Sequence, residues 1–393
     1  MPTPSIKRGS EHFFINTYEG NGAGQRVGNF LPFTDNGTIA KSCIFDDGST
    51  PALSRTLSSD GNKKKFTVSV WVKRCVLAGD YVAVVVGGGT SGSSAGIFFN
   101  SSQQLYVYLF GAEALITNRT FEDTSKWYHI VLRVDSSDST ADDRVRLYVD
   151  GDQITSFATR NNPSEDAQET LFNVNAKNID LGRHTTSTYY LDGYLAEVNF
   201  ADGQSYGPDT FGITDTSTGR WIPKSLTGIT YGTNGFRMEF ANSAGQTIGD
   251  DTSGQGNDKT VVNIATTDLT TDSPTQNFIT FTTNNQVGSN SLSEGNLKPT
   301  FPSGTGASAI PSTFRIPVGK WYFEYYIPGT NSVLIMMAVA PEDTNFSGRM
   351  HTLSGFKTIY PYTRTIYEGS SSLLDGTDMP LAEDDTTVGV YIE

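Results

Sequence analysis

Oxygen-bearing side chains crowd the loop GDDTSGQGNDK, Gly249 to Lys259. Asp250, Asp251 and Asp258, with Ser253 and Asn257, could wrap a hard cation such as calcium, which takes about six to eight oxygen ligands. The spacing is not that of an EF-hand, whose final glutamate comes later. The same letters also suit a glycine-rich turn with solvated carboxylates. The acidic stretch Asp135 to Asp143 is a second cation candidate. A sugar asks for a different set. Its apolar C–H face stacks on an aromatic ring, and its hydroxyls need amides or carboxylates beside that ring. Tyr189 and Tyr190, next to Asp192 and after the polar turn HTTST, offer such a set. Strand alternation would bury one of the two tyrosines and leave the other for a ligand. Core or edge packing of both is the alternative.

Catalytic constellations are harder to find. Glycoside hydrolysis with retention needs two carboxylates about 5 Å apart, which a Glu-x-Asp-x-Glu strand would supply. No such strand occurs. Glu197 in YLAEVNF and Glu324 in WYFEYYI each stand alone and are expected to pair at the surface. His12, His129, His184 and His351 are scattered without metal-ligand spacing, and His129 is expected to be structural. The serines of TSGSSAG lack an evident base, and no nucleophile elbow, phosphate loop or dinucleotide fingerprint appears. Cys43 and Cys75 read as two buried free thiols, with a disulfide as the alternative. The chain therefore reads as a binder or a structural protein rather than an enzyme.

These residues must be held by strands. In FTVSVWVK, Phe66, Val68, Val70 and Val72 share one face, and Thr67, Ser69, Trp71 and Lys73 share the other. That is the period of a strand with one buried face. YVAVVV, Tyr81 to Val86, is continuously apolar and suits a strand covered on both sides. IFFN and LYVYLF read as two more strands. Tyr128, Ile130, Leu132 and Val134 form one face of the next, and Val145, Leu147 and Val149 answer them after the polar loop SSDSTADD. Asp150-Gly151 fits a tight turn. NIDLGR and YYLDGYLAEVNFADGQ give further strands. PDTFG could form one short helical turn, and no longer helix is expected. Many short strands separated by turn signals indicate an all-β sandwich.

The composition agrees. There are 393 residues, enough for two or three domains, with 40 glycines and only 18% charged residues. The net charge is −14, from 42 acidic and 28 basic residues, which repels nucleic acid and anionic lipid. The opening MPTPSIKRGS has no apolar signal-peptide core, and no apolar run reaches the roughly 20 residues of a membrane span. Synthesis in a cytoplasm and release by lysis are expected.

Taken in order, FTVSVWVKR, KWYHIVLRVD, DRVRLYVDGDQI, LGR and YYLDGYLAEVNFADGQSYGPDTFG resemble the concanavalin A-like lectin/glucanase jelly roll in its laminin-G-like and pentraxin-like form. A longer series is similar to tail-fibre-type and other virion proteins of tailed bacteriophages, including those of marine hosts. It runs ALSRTLSSDGNKKKFTVSVWVKR, LDGYLAEVNFADGQSYGPDTFG, WIPKSLTGITYGTNGFRMEF, IGDDTSGQGND and DSPTQNF, over about residues 41 to 280. GKWYFEYYI with VLIMMAVA, and then DDTTVGVYIE, resemble the start and middle of a SPRY domain, another β-sandwich. That family continues with more strands, so the second sandwich is expected to be shortened, fragmentary or completed by a partner.

The expected layout is an irregular N-terminal arm over 1–40 that docks on the virion, a jelly roll over 41–212, a Gly/Asn/Thr-rich extension and linker over 213–290, and an incomplete SPRY-like sandwich over 291–393. The resemblance implies a virion component that recognises host-surface polysaccharide through loops. It also implies other virion proteins as partners and a homo-oligomer, commonly a trimer. No nucleic-acid partner and no membrane insertion are expected, and the only cofactor considered is calcium. The alternatives are a decoration protein that binds no receptor and a polysaccharide depolymerase.

Overall fold

A computed structural model describes residues 37–77, 81–88, 94–184, 189–241, 243, 245–283, 286–301, 309–313 and 320–327, with the strand segments 337–339, 357–360, 365–368, 371–374 and 386–392. The expected arm falls almost wholly outside them, as do His12 and His351.

Eighteen of the described strands lie before residue 271. They are β1 (Ser42–Phe45), β2 (Ala52–Thr56), β3 (Lys65–Arg74), β4 (Val82–Gly88), β5 (Ser94–Phe99) and β6 (Gln104–Leu109). Next come β7 (Ala112–Thr120), β8 (Tyr128–Asp135), β9 (Val145–Val149), β10 (Asp152–Gln153), β11 (Phe157–Arg160) and β12 (Asn178–Leu181). The series ends with β13 (Gly193–Asp202), β14 (Gly212–Thr214), β15 (Trp221–Pro223), β16 (Phe236–Met238), β17 (Thr260–Val262) and β18 (Leu269–Thr270). Helix among the described residues is confined to four 3-10 turns, one of them at Pro208–Thr210 in PDTFG.

Two antiparallel sheets make the sandwich. The first runs β10-β9-β8-β3-β13-β1-β18, with β16 also on β13. The second runs β11-β7-β6-β5-β4-β12-β2-β17. Between them lie Phe66, Val68, Val70 and Val72 of β3 and Tyr128, Ile130, Leu132 and Val134 of β8. They face Val84, Val85, Ile97, Phe99, Leu105 and Val107 of the second sheet. Removing such side chains from water supplies about 1.5–3 kcal/mol each. The β8–β9 hairpin pairs as its pattern requires, with Ile130 opposite Val149 and Val134 opposite Val145. Asp150 and Gly151 sit at φ 53° and 86°, a left-handed pair that closes β9 onto β10. A Cβ on Gly151 would also lie 2.4 Å from the Trp221 ring, so glycine is required there on two counts.

The polar face of β3 does not meet solvent. Thr67, Ser69, Trp71 and Lys73 are all buried. The covering chain begins at Gln204, at the end of the expected jelly roll, and continues through what reads in sequence as extension and linker. Thr67 Oγ1 donates to Gln204 O at 2.8 Å, Trp221 meets the ring of His129 edge to edge, and Lys73 reaches Asp272. The same segment adds β16 and β18 to the first sheet and β17 to the second. Part of the expected extension is therefore built into the sandwich as β16, β17 and β18. Thr67 and Lys73 of β3 are hydrogen-bond partners for this cover, and Ser69 pairs with His129 of β8.

Further along, β19 (Ser291–Ser293) pairs with β20 (Lys298–Thr300). β21 (Trp321–Ile327), the WYFEYYI strand, pairs over its full length with the last strand, Thr386–Ile392. Between them in sequence come β22 (Met337–Val339), β23 (Lys357–Tyr360), β24 (Thr365–Glu368) and β25 (Ser371–Leu374), which form one sheet; β26 is Thr386–Ile392. Most of the rest of the expected SPRY-like region lies outside the described residues.

Candidate functional site

Most expected site residues turn out to serve the fold. In the Gly249–Lys259 loop, Asp251 accepts from Arg237 N at 2.9 Å, Ser253 N at 2.8 Å, Ser253 Oγ at 2.9 Å and Asn257 N at 2.8 Å. Asp250 accepts from Thr247 N, and Asp258 accepts from Asp251 N. The three carboxylates stitch their own turn. Among the described residues, no group of three or more His, Cys, Asp or Glu side chains comes together to hold a metal. In the other acidic stretch, Asp135 pairs with Lys65 at 2.8 Å, Asp142 with Arg160 at 3.1 Å and Asp143 with Arg146 at 2.5 Å.

Glu197 pairs as expected, but under cover. It sits at φ 45° where the β13–β3 register slips, and Arg237 grips it at 2.6 and 3.2 Å. Burial raises its pKa against that pairing. Glu324 accepts from Tyr322. Cys43 and Cys75 are buried free thiols, both pushed up by burial. His129 is fully buried and structural, as its place in the pleat predicts. Ser69 lies 2.9 Å from its Nε2, which resembles a nucleophile and its base. Trp221 Nε1 donates to Nδ1, so in the neutral ring Nε2 carries the proton and faces Ser69 as a donor. The pair cannot activate the serine.

Tyr189, Tyr190 and Asp192 separate. Asp192 is half-buried, and burial, then the charges of Asp47 and Asp46, hold its pKa up at about 8. Neither tyrosine is buried; both are half-exposed. They precede β13 and lie outside any strand, meeting the end of β12 through the isolated Arg183–Tyr190 bridge and the bond from His184 N to Tyr189 O at 2.9 Å, so strand alternation does not govern them.

Tyr189 belongs to a larger set on the outer face of the second sheet. In L-Y-V-Y-L, Leu105, Val107 and Leu109 point into the core, and Tyr106 and Tyr108 point out. Phe98 of β5 points the same way, over Ala83 and Val86 of β4. Tyr81 is 37% exposed, and its ring centroid lies 5.2 Å from Tyr106, 5.8 Å from Tyr189 and 6.4 Å from Phe98. Tyr106 and Tyr108 are stacked at 6.4 Å, with their planes 30° apart. His184 stands 6.0 Å from Phe98 and 5.9 Å from Tyr189. The rings thus form one surface drawn from four chain segments.

Tyrosine suits this position because its ring covers apolar surface while its hydroxyl stays wet. Exposed Glu113 lies opposite Tyr108 in the ladder, and burial together with Glu113 pushes the Tyr106 phenol well up. Arg183 donates to buried Asp180 at 3.0 Å, next in the chain to His184. Chemically, the face offers flat apolar platforms ringed by hydroxyl, carboxylate and guanidinium groups. A separate pocket of 170 Å³ beside Ile229, Tyr231 and Arg237 is smaller than the roughly 300 Å³ at which small-molecule sites begin.

Residues 46–204 match the sequence model of the Laminin_G_3 family, described as the concanavalin A-like lectin/glucanases superfamily, and they fold as a domain of that type. Several solved structures are similar at low identity. A native heptameric SAP-like pentraxin from Limulus polyphemus is 12% identical, with 43% of this chain and 79% of that one covered and a TM-score of 0.31. A putative carbohydrate binding protein from Bacteroides ovatus is 15% identical, over 49% and 61%, with a TM-score of 0.32. A Trypanosoma rangeli sialidase in complex with sialic acid is 18% identical, over 37% and 22%, with a TM-score of 0.28. No curated protein sequence matches the chain.

Proposed function

We propose that this chain binds host-surface glycans through the outer aromatic face of its second sheet, and does so as a virion protein of a tailed bacteriophage. The observation that carries the binding half is the set of partly exposed rings of Tyr81, Tyr106, Tyr108 and Tyr189, packed around buried Phe98 on a lectin-type sandwich. An open, flat face fits a polysaccharide lying along it. Each tyrosine takes the C–H face of a sugar ring, and Glu113 and Arg183 reach the hydroxyls. A net charge of −14 favours neutral glycans over polyanionic ones. The virion half rests on the similarity of residues 41 to 280 to tail-fibre-type proteins, which also implies homo-oligomerisation and release by lysis.

Binding without cleavage is the reading the carboxylates favour. Glu197 is engaged by Arg237, and Glu113 has an aromatic neighbour rather than a second acid. The test is an array of bacterial surface polysaccharides probed with the labelled full chain, and with a variant carrying Tyr106→Ala and Tyr108→Ala. Saturable binding to neutral glycans should weaken about tenfold or more per stacking ring lost. A folded wild-type chain that binds no glycan, or a double variant that binds unchanged, would overturn the reading. The first result would move the chain to decoration.

A further inference from the structure

Lys73 does not behave like a strand lysine. Its side chain is 1% exposed, as is that of its ion-pair partner Asp272, in the segment DSPTQNF. The Nζ lies 2.8 Å from Asp272 Oδ2, 2.9 Å from Asn277 Oδ1 and 2.8 Å from Phe278 O. The ring of Tyr194 stands 5.6 Å away. Asp272 is fixed from its other oxygen by Trp127 Nε1 at 3.1 Å and Phe278 N at 3.3 Å. The carboxamide of Asn277 is oriented by its Nδ2, which donates to Ser125 O at 2.7 Å. An amine, a carboxamide and a carboxylic acid therefore meet at contact distance under aromatic cover.

We propose that Lys73 and Asn277 join in an intramolecular isopeptide bond, with Asp272 carrying the proton. Burial makes the charged form of the Asp272 carboxyl costly and raises its pKa, which suits it to take a proton from the neighbouring Lys73. A proton passes from the Lys73 ammonium to the Asp272 carboxylate. The freed Nζ lone pair attacks Cγ of Asn277, whose carbonyl oxygen is already in hydrogen-bond reach. The Nζ–Cγ bond forms and Oδ1 takes the negative charge. Asp272 then hands its proton to Nδ2 and accepts the second proton from Nζ. The Cγ–Nδ2 bond breaks and ammonia leaves beside Ser125 O, while Oδ1 returns to a carbonyl. Nothing is oxidised or reduced, and no co-reactant is needed. Asp272 is the acid–base group because its Oδ2 lies in direct contact with Nζ while Oδ1 is fixed by Trp127 Nε1 and Phe278 N.

The product ties β3 to the segment that covers its outer face, across 204 positions of chain. Closing so long a loop removes much of the unfolded state's freedom.

The test is the mass of the full chain after denaturation, followed by peptide mapping. The wild type should be lighter than its sequence by one ammonia, with the Lys73 peptide attached to the Asn277 peptide. Lys73→Arg, Asn277→Ala and Asp272→Asn should each restore the full mass. A wild-type chain of full mass overturns the proposal. So does loss of water with Lys73 attached to Asp272, or loss of ammonia confined to the Asn277 peptide, which would be a cyclic imide. Loss of ammonia persisting in Asp272→Asn overturns the role of Asp272. The wild-type reading does not depend on any variant folding.

Discussion

Trp221 Nε1 donates to His129 Nδ1 at 2.9 Å, and the two rings lie within 18° of parallel. Trp71 stacks on one face of His129 from β3 at 4.5 Å, and Trp221 meets the imidazole edge to edge with centroids 6.0 Å apart. Burial lowers its pKa from the usual 6.5 to about 3. Below pH 6.5 the unfolded chain takes up a proton that the folded chain refuses. Stability should therefore fall as pH drops from 6.5 towards 3, by up to about 1.4 kcal/mol per pH unit from this one group. Urea unfolding across that range should show the slope, and His129→Gln should remove that share of it. Trp221→Phe keeps an aromatic ring at the position and strips the donor. It should cost about 1–3 kcal/mol by leaving Nδ1 unsatisfied, with the denaturant slope unchanged.

Asp192 has the opposite sign. Its folded pKa is about 8 against an ordinary 3.8, because of burial and then of Asp47 and Asp46. The folded chain holds a proton that the unfolded chain gives up, so stability falls as pH rises from about 4 to about 8. Asp192→Asn keeps the shape and removes the charge. It should match the wild type at pH 4 and exceed it at pH 8, on the order of 1–3 kcal/mol. Thermal melts of both proteins at the two pH values check this. Equal midpoints at pH 8 would mean that the three carboxylates do not sense one another.

Asp251 satisfies three backbone N–H groups and one hydroxyl. Asp251→Ala should cost about 2–4 kcal/mol through those stranded donors. Calcium and chelator should leave the wild-type melting midpoint where it is. A midpoint that rises with calcium in the wild type and not in Asp251→Ala would assign the ion to this loop.

The framework was readable in the letters, and the surfaces were less so. Phe66, Val68, Val70 and Val72 alternate, and all four reach the core. The same alternation assigns Thr67, Ser69 and Lys73 to water, which fails because the cover comes from residues 204–278, beyond the reach of any local pattern. L-Y-V-Y-L does carry a signal for the aromatic face, since Tyr106 and Tyr108 must oppose three aliphatic neighbours. What brings Tyr81 and Tyr189 beside them is sheet order, with β4 between β5 and β12, and no spacing encodes that. Asp250, Asp251 and Asp258 looked like ion ligands because a carboxylate that binds N–H groups and one that binds a cation share the same turn-rich sequence.

Among the described residues Lys259 is the other buried lysine, and unlike Lys73 it makes no ion pair with a described carboxylate. Its Nζ donates to Ile179 O at 3.2 Å and lies 3.8 Å from the centre of the Phe236 ring. Burial lowers its pKa from 10.5 to about 7; Arg55 lowers it further, and Asp180 and Asp251 oppose that. Between pH 7 and 10.5 the unfolded chain binds the proton that the folded chain sheds, so the wild type gains stability as pH rises through that window. Lys259→Met fills the same space with no charge to desolvate. The variant should be more stable than the wild type by about 1–3 kcal/mol at pH 6.5, and the gap should close by pH 10. Paired urea titrations at those two pH values measure it. A variant less stable than the wild type at pH 6.5 would mean that the ammonium, through Phe236 and Ile179 O, contributes more than its desolvation costs.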